Sequence, residues 1–202
     1  INVFNENNKI IFKLEEYKKI TKINLIGNER FKDEEIFEII PFNELIYLNP
    51  EKINIHILEL KSLYKSFGYN KIQINYDYQI DNEEINSVNL DITFNENKIS
   101  KVNRVYFKGN ESFSNDTLRN QLYLKERSLL SFLFKKNYKE IEAKNDVKRL
   151  SNYYLNSGYK DISISFKSEY IDKKNSFNIY YFIDEGTKYT LDDINLDLSL
   201  LD

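Results

Sequence analysis

Cysteine is missing altogether from this chain of 202 residues, and so are methionine and tryptophan. Without thiols there are no disulfides and no thiolate metal sites, while the compartment stays open. The single histidine, His56, lies mid-helix between Ile55 and Ile57 with no cysteine beside it and no paired carboxylate, and reads as structural. No apolar run reaches the roughly 20 residues that cross a bilayer as a helix. Neither sign of charge dominates: 29 Lys+Arg stand against 32 Asp+Glu, a net charge of -3, which calls for neither nucleic acid nor an anionic membrane surface. P-loop, GxSxG and GxGxxG patterns are all missing. The acidic pairs Asp33-Glu34, Asp184-Glu185 and Asp192-Asp193 fall at a helix start or at turns, where capping and the helix dipole account for them. The expectation is a protein without catalytic or metal-binding residues and without a cofactor.

Glycine and proline are scarce too, five and two residues, which makes their positions informative. Gly27 heads "GNERF" and Gly109 heads "GNESF", 82 positions on. Gly68 in "SFGYNKIQI" is matched by Gly158 in "NSGYKDISI", 90 positions on. A period this long exceeds a solenoid repeat and suits tandem small domains. The difference of 8 between the offsets places an insertion in the second copy.

Both copies read as strand, helix, helix, strand, strand. In the first, "KINLI" (22–26) is a short strand ended by Gly27-Asn28, and "DEEIFEII" (33–40) is a helix that starts acidic and stops before Pro41. Asn49-Pro50-Glu51 opens a second helix whose apolar face is Ile53, Ile57, Leu60, Tyr64 and Phe67, with Gly68 at its left-handed C-cap. Ile72, Ile74, Tyr76, Tyr78 and Ile80 then alternate with polar residues, as a strand with one buried face, and Val88, Leu90, Ile92 and Phe94 complete a hairpin. The second copy repeats the order: "RVYFK", a helix capped by Ser114, a helix over about 138–157 closed by Gly158, then strands through Ile162, Ile164, Phe166 and through Phe177, Ile179, Tyr181, Ile183.

The fold class expected is α+β, each module a small mixed three-stranded sheet with both helices on one face. Strand one runs parallel to strand three, strand three is central, and strand two is left at an edge. Gly27 with Asn28, and Gly109 with Asn110, form a joint at the strand exit and not a phosphate loop, which would need more glycines and a basic partner. Residues 20–100 and 101–187 are the two complete modules. Residues 1–19 read as the closing hairpin of a preceding module and 188–202 as the start of a following module or linker, so the chain is expected to be a piece of something longer. The short joints at 95–102 and 184–191 predict a semi-rigid rod.

This order of elements, with "GN-x-x-F" after strand one and "Y-x-x-x-GY" closing helix two, resembles the POTRA domains. Those are the periplasmic modules that precede the outer-membrane β-barrel in BamA and its relatives. The resemblance covers nearly the whole chain, and the second copy, through "YYLNSGY" and "EGTKY", is similar to the third such module. Its inter-helix link carries Leu and Phe where the family has Trp.

Two candidate binding features follow. The strand "DISISFKS" turns Ile162, Ile164 and Phe166 inward and short Ser163 and Ser165 outward, followed by Lys167, so its backbone is open to an incoming strand. The equivalent edge of the first copy, "KIQINYDYQ" (71–79), has a bulkier and more polar outer face. The run "LYLKERSLLSFLF" (122–134) exceeds what one link must bury. The resemblance gives Leu122, Leu124 and Lys125 a role in docking an accessory lipoprotein of the BamB kind.

The resemblance implies a non-catalytic periplasmic arm that takes unfolded outer-membrane proteins from periplasmic chaperones, holds accessory lipoproteins and feeds a membrane barrel missing from this segment. It also leaves two alternatives open. One is the arm of a translocation-assembly or two-partner secretion protein. The other is an envelope-division scaffold.

Overall fold

The structure is a computed structural model and describes residues 2–6, 9–13, 16–125 and 136–190. The chain divides into two compact units: Ile1–Lys65 with Tyr69–Asn97, and Ser66–Gly68 with Lys98–Asp202.

In the first unit, β1 (Asn2–Glu6) and β2 (Lys9–Lys13) pair antiparallel as a two-stranded sheet of their own. The module proper comprises β3 (Lys19–Ile26), α1 (Asp33–Ile39), α2 (Pro50–Ser66), β4 (Gln73–Asn82) and β5 (Ser87–Asn95). Its sheet has the order β3-β5-β4, with β5 parallel to β3 and antiparallel to β4. Two helices lie between β3 and β4, a crossover long enough to let β3 join the sheet parallel to β5. Asn49 Oδ1 accepts the amides of Glu51 (3.0 Å) and Lys52 (3.2 Å), so the first turn of α2 is capped. Pro50 stands at the first helical position, where its missing N–H costs nothing. Ile53, Ile57, Leu60 and Tyr64 form the buried stripe of α2, and Val88, Leu90 and Ile92 of β5 are fully buried as well, each such aliphatic side chain contributing about 1.5–3 kcal/mol of burial.

The far half of β4 departs from expectation. Ile74 is buried, but Tyr78 and Ile80 on the same face are exposed, although their partners Leu90 and Val88 are fully covered. Cover reaches the central strand there and stops short of the edge strand. Alternation alone cannot reveal this, because it reports which face a residue occupies and not how far a helix extends over it.

The second unit repeats the plan with β6 (Lys101–Lys108), α3 (Asn115–Gln121), α4 (Glu140–Asn156), β7 (Ser163–Ile171) and β8 (Ser176–Asp184). The order is β6-β8-β7, with β8 parallel to β6 and antiparallel to β7. Ser114 caps α3 by accepting the Thr117 amide at 3.1 Å. The hairpin between β7 and β8 turns through Asp172–Lys174 and closes on Asn175 in the left-handed region, φ +43°. Leu118, Leu122, Leu124, Leu150, Tyr154, Ile179 and Tyr181 fill the core.

The end of each inter-helix link lies across the start of strand one as a short antiparallel bridge, Lys19 with Tyr47 and Lys101 with Asn137. In each sheet this bridge occupies the start of one edge. The opposite edges, β4 and β7, have no such cover among the described residues.

Candidate functional site

The repeated pentapeptide is the first place to look for chemistry, and it proves to be architecture. Gly27 and Gly109 stand at φ +86° and +85°. Asn28 Nδ2 donates to Phe31 O (3.0 Å) and Asp33 Oδ1 (2.7 Å), and Asn110 Nδ2 donates to Phe113 O and Asn115 Oδ1, both at 2.9 Å. Each asparagine therefore locks the turn and the first helix together. Phe31 meets the Tyr64 ring edge-on at 5.1 Å, and Phe113 meets Tyr153, Tyr154 and Tyr159. Gly68 and Gly158, at φ +98° and +96°, end α2 and α4.

A carboxylate completes each turn. Glu96 Oε1 accepts the Arg30 amide and the Tyr64 hydroxyl, both at 2.8 Å. Glu185 accepts the amides of Glu111 (2.9 Å) and Ser112 (3.0 Å), the Ser112 hydroxyl, and the Tyr154 hydroxyl at 2.8 Å. Partial burial works to raise the Glu185 carboxyl, but the donors of Ser112, Tyr154 and Glu111 outweigh it and hold the group below the usual range. Burial first, and then the facing carboxylate, push the phenols of Tyr64 and Tyr154 far above theirs. Sequence reasoning explained Asp184-Glu185 by turn formation and passed over Glu96. The signal was present: Glu96 and Glu185 lie 89 positions apart, each just past a closing strand, within one residue of the 90-residue spacing between Tyr64 and Tyr154.

His56 is also architectural. Contrary to the expectation of a histidine without a paired carboxylate, its Nδ1 is 2.9 Å from Glu59 Oε2, one turn on along α2, and its ring lies 5.2 Å from that of buried Phe42. Among the described residues no group of three or more His, Cys, Asp or Glu could hold a metal ion. None of their helices is long and apolar enough to cross a membrane, which says nothing of a β-barrel.

The edge strand β7 pairs with β8 alone among the described residues. Ile164 and Phe166, with Ile162 just before the strand, are half-buried against the core. Ser163, Ser165 and Lys167 alternate with them and are exposed. The outward row is therefore short for two steps and cationic at the third. Strand edges of this kind carry unpaired N–H and C=O groups in register to receive another strand.

The start of the long link is arranged differently from the resemblance's simplest implication. Leu122 and Leu124 are buried in the core of their own module. They present no surface, because both backbone amides around them are drawn inward by a carboxylate. Asp146, 0 % exposed on α4, accepts Tyr123 N at 2.7 Å and Leu124 N at 2.9 Å, and takes Arg149 Nη1 at 2.7 Å. What faces outward is Tyr123, 44 % exposed, with Lys136 Nζ 4.1 Å and Arg149 Cζ 5.6 Å from its ring centroid, and Lys125. The remainder of the apolar run, 126–134, lies outside the described residues. Residue 146 is 90 positions after His56, so the same helical place holds a link by a carboxylate in one module and by ring packing in the other.

Comparison with known proteins places these modules. The sequence model of the POTRA family, described as surface antigen variable number repeat, matches residues 18–97 and 100–186. The outer membrane protein assembly factor BamA of Neisseria meningitidis is 27 % identical over 149 residues, 72 % of this chain and 18 % of that protein. BamA of Buchnera aphidicola is 30 % identical over 108 residues, 52 % of this chain and again 18 % of its own length. In fold, the crystal structure of BamA from Haemophilus ducreyi lacking POTRA domains 1–3 matches with a TM-score of 0.53 at 17 % identity, covering 82 % of this chain and 29 % of that one. The chain thus spans about a fifth of the length of the curated relatives it matches.

Proposed function

This chain belongs to the POTRA family, and from that premise we propose that its two modules are part of the periplasmic arm of an outer-membrane protein assembly factor. They work by binding and not by catalysis. They receive unfolded outer-membrane proteins handed over by periplasmic chaperones and pass them toward a membrane barrel. The observation that carries this reading is the open β7 edge with its short outward serines. Backbone pairing there is indifferent to most side chains, which suits a protein that must take many clients and release each of them. The relatives named BamA support the setting. In an NMR titration of the chain with a peptide from a β-barrel strand, the amides of residues 163–171 shift on binding. A folded protein whose β7 amides do not move in that titration rejects the reading.

An accessory lipoprotein docks at the start of the inter-helix link. Buried Leu122 and Leu124 hold that segment in place, while Tyr123 and Lys125 make the contact, backed by Lys136 and Arg149. Exposed aromatics beside cations are the usual anchors of such interfaces. Tyr123→Ala combined with Lys125→Glu weakens lipoprotein binding by at least about tenfold with the melting temperature nearly unchanged. Equal affinity of variant and parent in a pull-down titration removes this site from the account.

A further inference from the structure

The sheet faces turned away from the helices differ between the two modules in a way the strand-addition reading does not require. Register fixes which residues share a row. In the second module, Ser165 lies opposite Phe182, which lies opposite Lys108, and Lys167 lies opposite Tyr180, which lies opposite Tyr106. In the first module the same rows read Asn75, Thr93, Ile26 and Asp77, Asp91, Asn24. The exposed cation Lys167 at one edge therefore occupies the place of the exposed acid Asp77 at the other. Neither forms an ion pair among the described residues, and Asp77 faces a second acid, Asp91, across the strands. Lys108 adds an exposed cation where the first module has Ile26, while Arg104 is matched there by Lys22, and exposed Glu169 and Asp184 lie on the same outward face of the second module, one row to either side of these two rows.

The aromatic content differs as well. Tyr106 and Tyr180 stack at 4.8 Å, and Phe182, 39 % exposed, has Lys108 Nζ 5.7 Å from its centroid. Between Phe182 and the free edge stands only Ser165, whose side chain is too short to cover the ring. A strand added to β7 lies two strand spacings from β8, roughly 10 Å. Two aromatic side chains leaning over a serine span that gap. The next outward residue of the added strand, two positions along, falls beside Lys167.

We propose that the outward side chains of the two open edges sort the strands added to them. β7 takes strands that carry an aromatic and an acidic residue two positions apart on one face, with one apolar residue between them facing Phe166. β4 takes strands with a basic residue beside Asp77. The occupant in both cases is an extended segment of an unfolded protein, and the sorting rests on strand addition as proposed above. Charge complementarity is what selects this occupant: cross-strand pairs of opposite sign are favourable and like pairs repel.

The test uses the whole chain, isotopically labelled, and two eight-residue peptides alternating valine with outward residues. One carries Phe and Asp two positions apart and the other Phe and Lys. The Phe/Asp peptide is expected to bind β7 about five- to tenfold more tightly than the Phe/Lys peptide, read from the amide shifts of 163–171, and Lys167→Glu inverts the preference. The Phe/Lys peptide is expected to shift the amides of 73–82 instead, and Asp77→Lys abolishes that response. Equal binding of both peptides at β7, with β7 amides shifting normally, overturns the sorting and leaves strand addition standing. Absence of any shift at 163–171 with either peptide overturns strand addition itself. If Lys167→Glu instead releases the protein from vesicles of anionic phospholipid while peptide preference stays flat, the face around Lys167 is a lipid surface and the sorting is wrong.

Discussion

Asp146→Ala is expected to lower the stability of the second module by about 3–5 kcal/mol, the range seen when one partner of a buried charged network is removed. The carboxylate has no exposure to solvent and holds three donors within 2.9 Å: Tyr123 N, Leu124 N and Arg149 Nη1. Truncation strands two backbone amides at the start of the link, each worth about 1–3 kcal/mol when left unsatisfied. Arg149 loses less, since its side chain is partly exposed and also reaches Glu142 at 3.7 Å. Asp146→Asn keeps the volume and one good acceptor and is expected to cost less than half as much. Urea unfolding of the two variants gives the comparison directly. Hydrogen exchange at Tyr123 and Leu124 should accelerate in step. A loss under 1 kcal/mol for the alanine variant contradicts the assigned role. In the first module the corresponding place is His56 on Phe42, where no buried charge is at stake and His56→Ala should cost less.

Gly109→Ala carries the second large effect. The backbone stands at φ +85°, a region that costs an L-residue about 1–3 kcal/mol. An added Cβ would also sit 2.1 Å from the carbonyl oxygen of Ile183, inside the β6–β8 region of the sheet where neither neighbour can swing away. Together these predict a loss of at least about 3 kcal/mol, which for a module of this size lowers the melting temperature by roughly 10–20 °C. Gly27→Ala meets Phe94 O at 2.5 Å, a less severe approach, and should be the milder of the pair. Calorimetry of both variants tests the ranking, and a Gly109→Ala protein that melts like the parent removes the steric argument.

Much of this architecture was written locally. The glycine marks, the Asn49-Pro50 opening of α2, the Ser114 cap and the two-residue alternation of the hairpin strands each act over a few residues, so their consequences can be read in order along the chain. Their sum predicts which strand is central and which is an edge. Less legible were features made by residues far apart in sequence. Asp146 looks like one more polar position on a helix until the link folds beneath it, 22 residues earlier in the chain. Glu96 and Glu185 serve turns 66 and 74 residues away. Leu122 and Leu124 look like an apolar excess available to a partner, because sequence counts hydrophobic residues without showing the volume waiting to receive them. Tyr78 and Ile80 err in the opposite sense, as apolar residues on the inner face that stay exposed. The outward rows through Lys167 and Asp77 needed the strand register, since each row joins residues from three strands.

The most direct measurement of the account is a matched pair of client-strand peptides, identical except that one is N-methylated at alternate residues on its hydrogen-bonding edge. Side chains are the same in both, so only backbone pairing is removed. Each lost backbone bond is worth about 0.5–1.5 kcal/mol, and three together should weaken binding more than tenfold. The unmodified peptide is expected to shift the amides of 163–171 and to give cross-strand contacts to β7, while its N-methylated twin does neither. Equal binding by the two peptides at that edge would contradict the proposed strand addition.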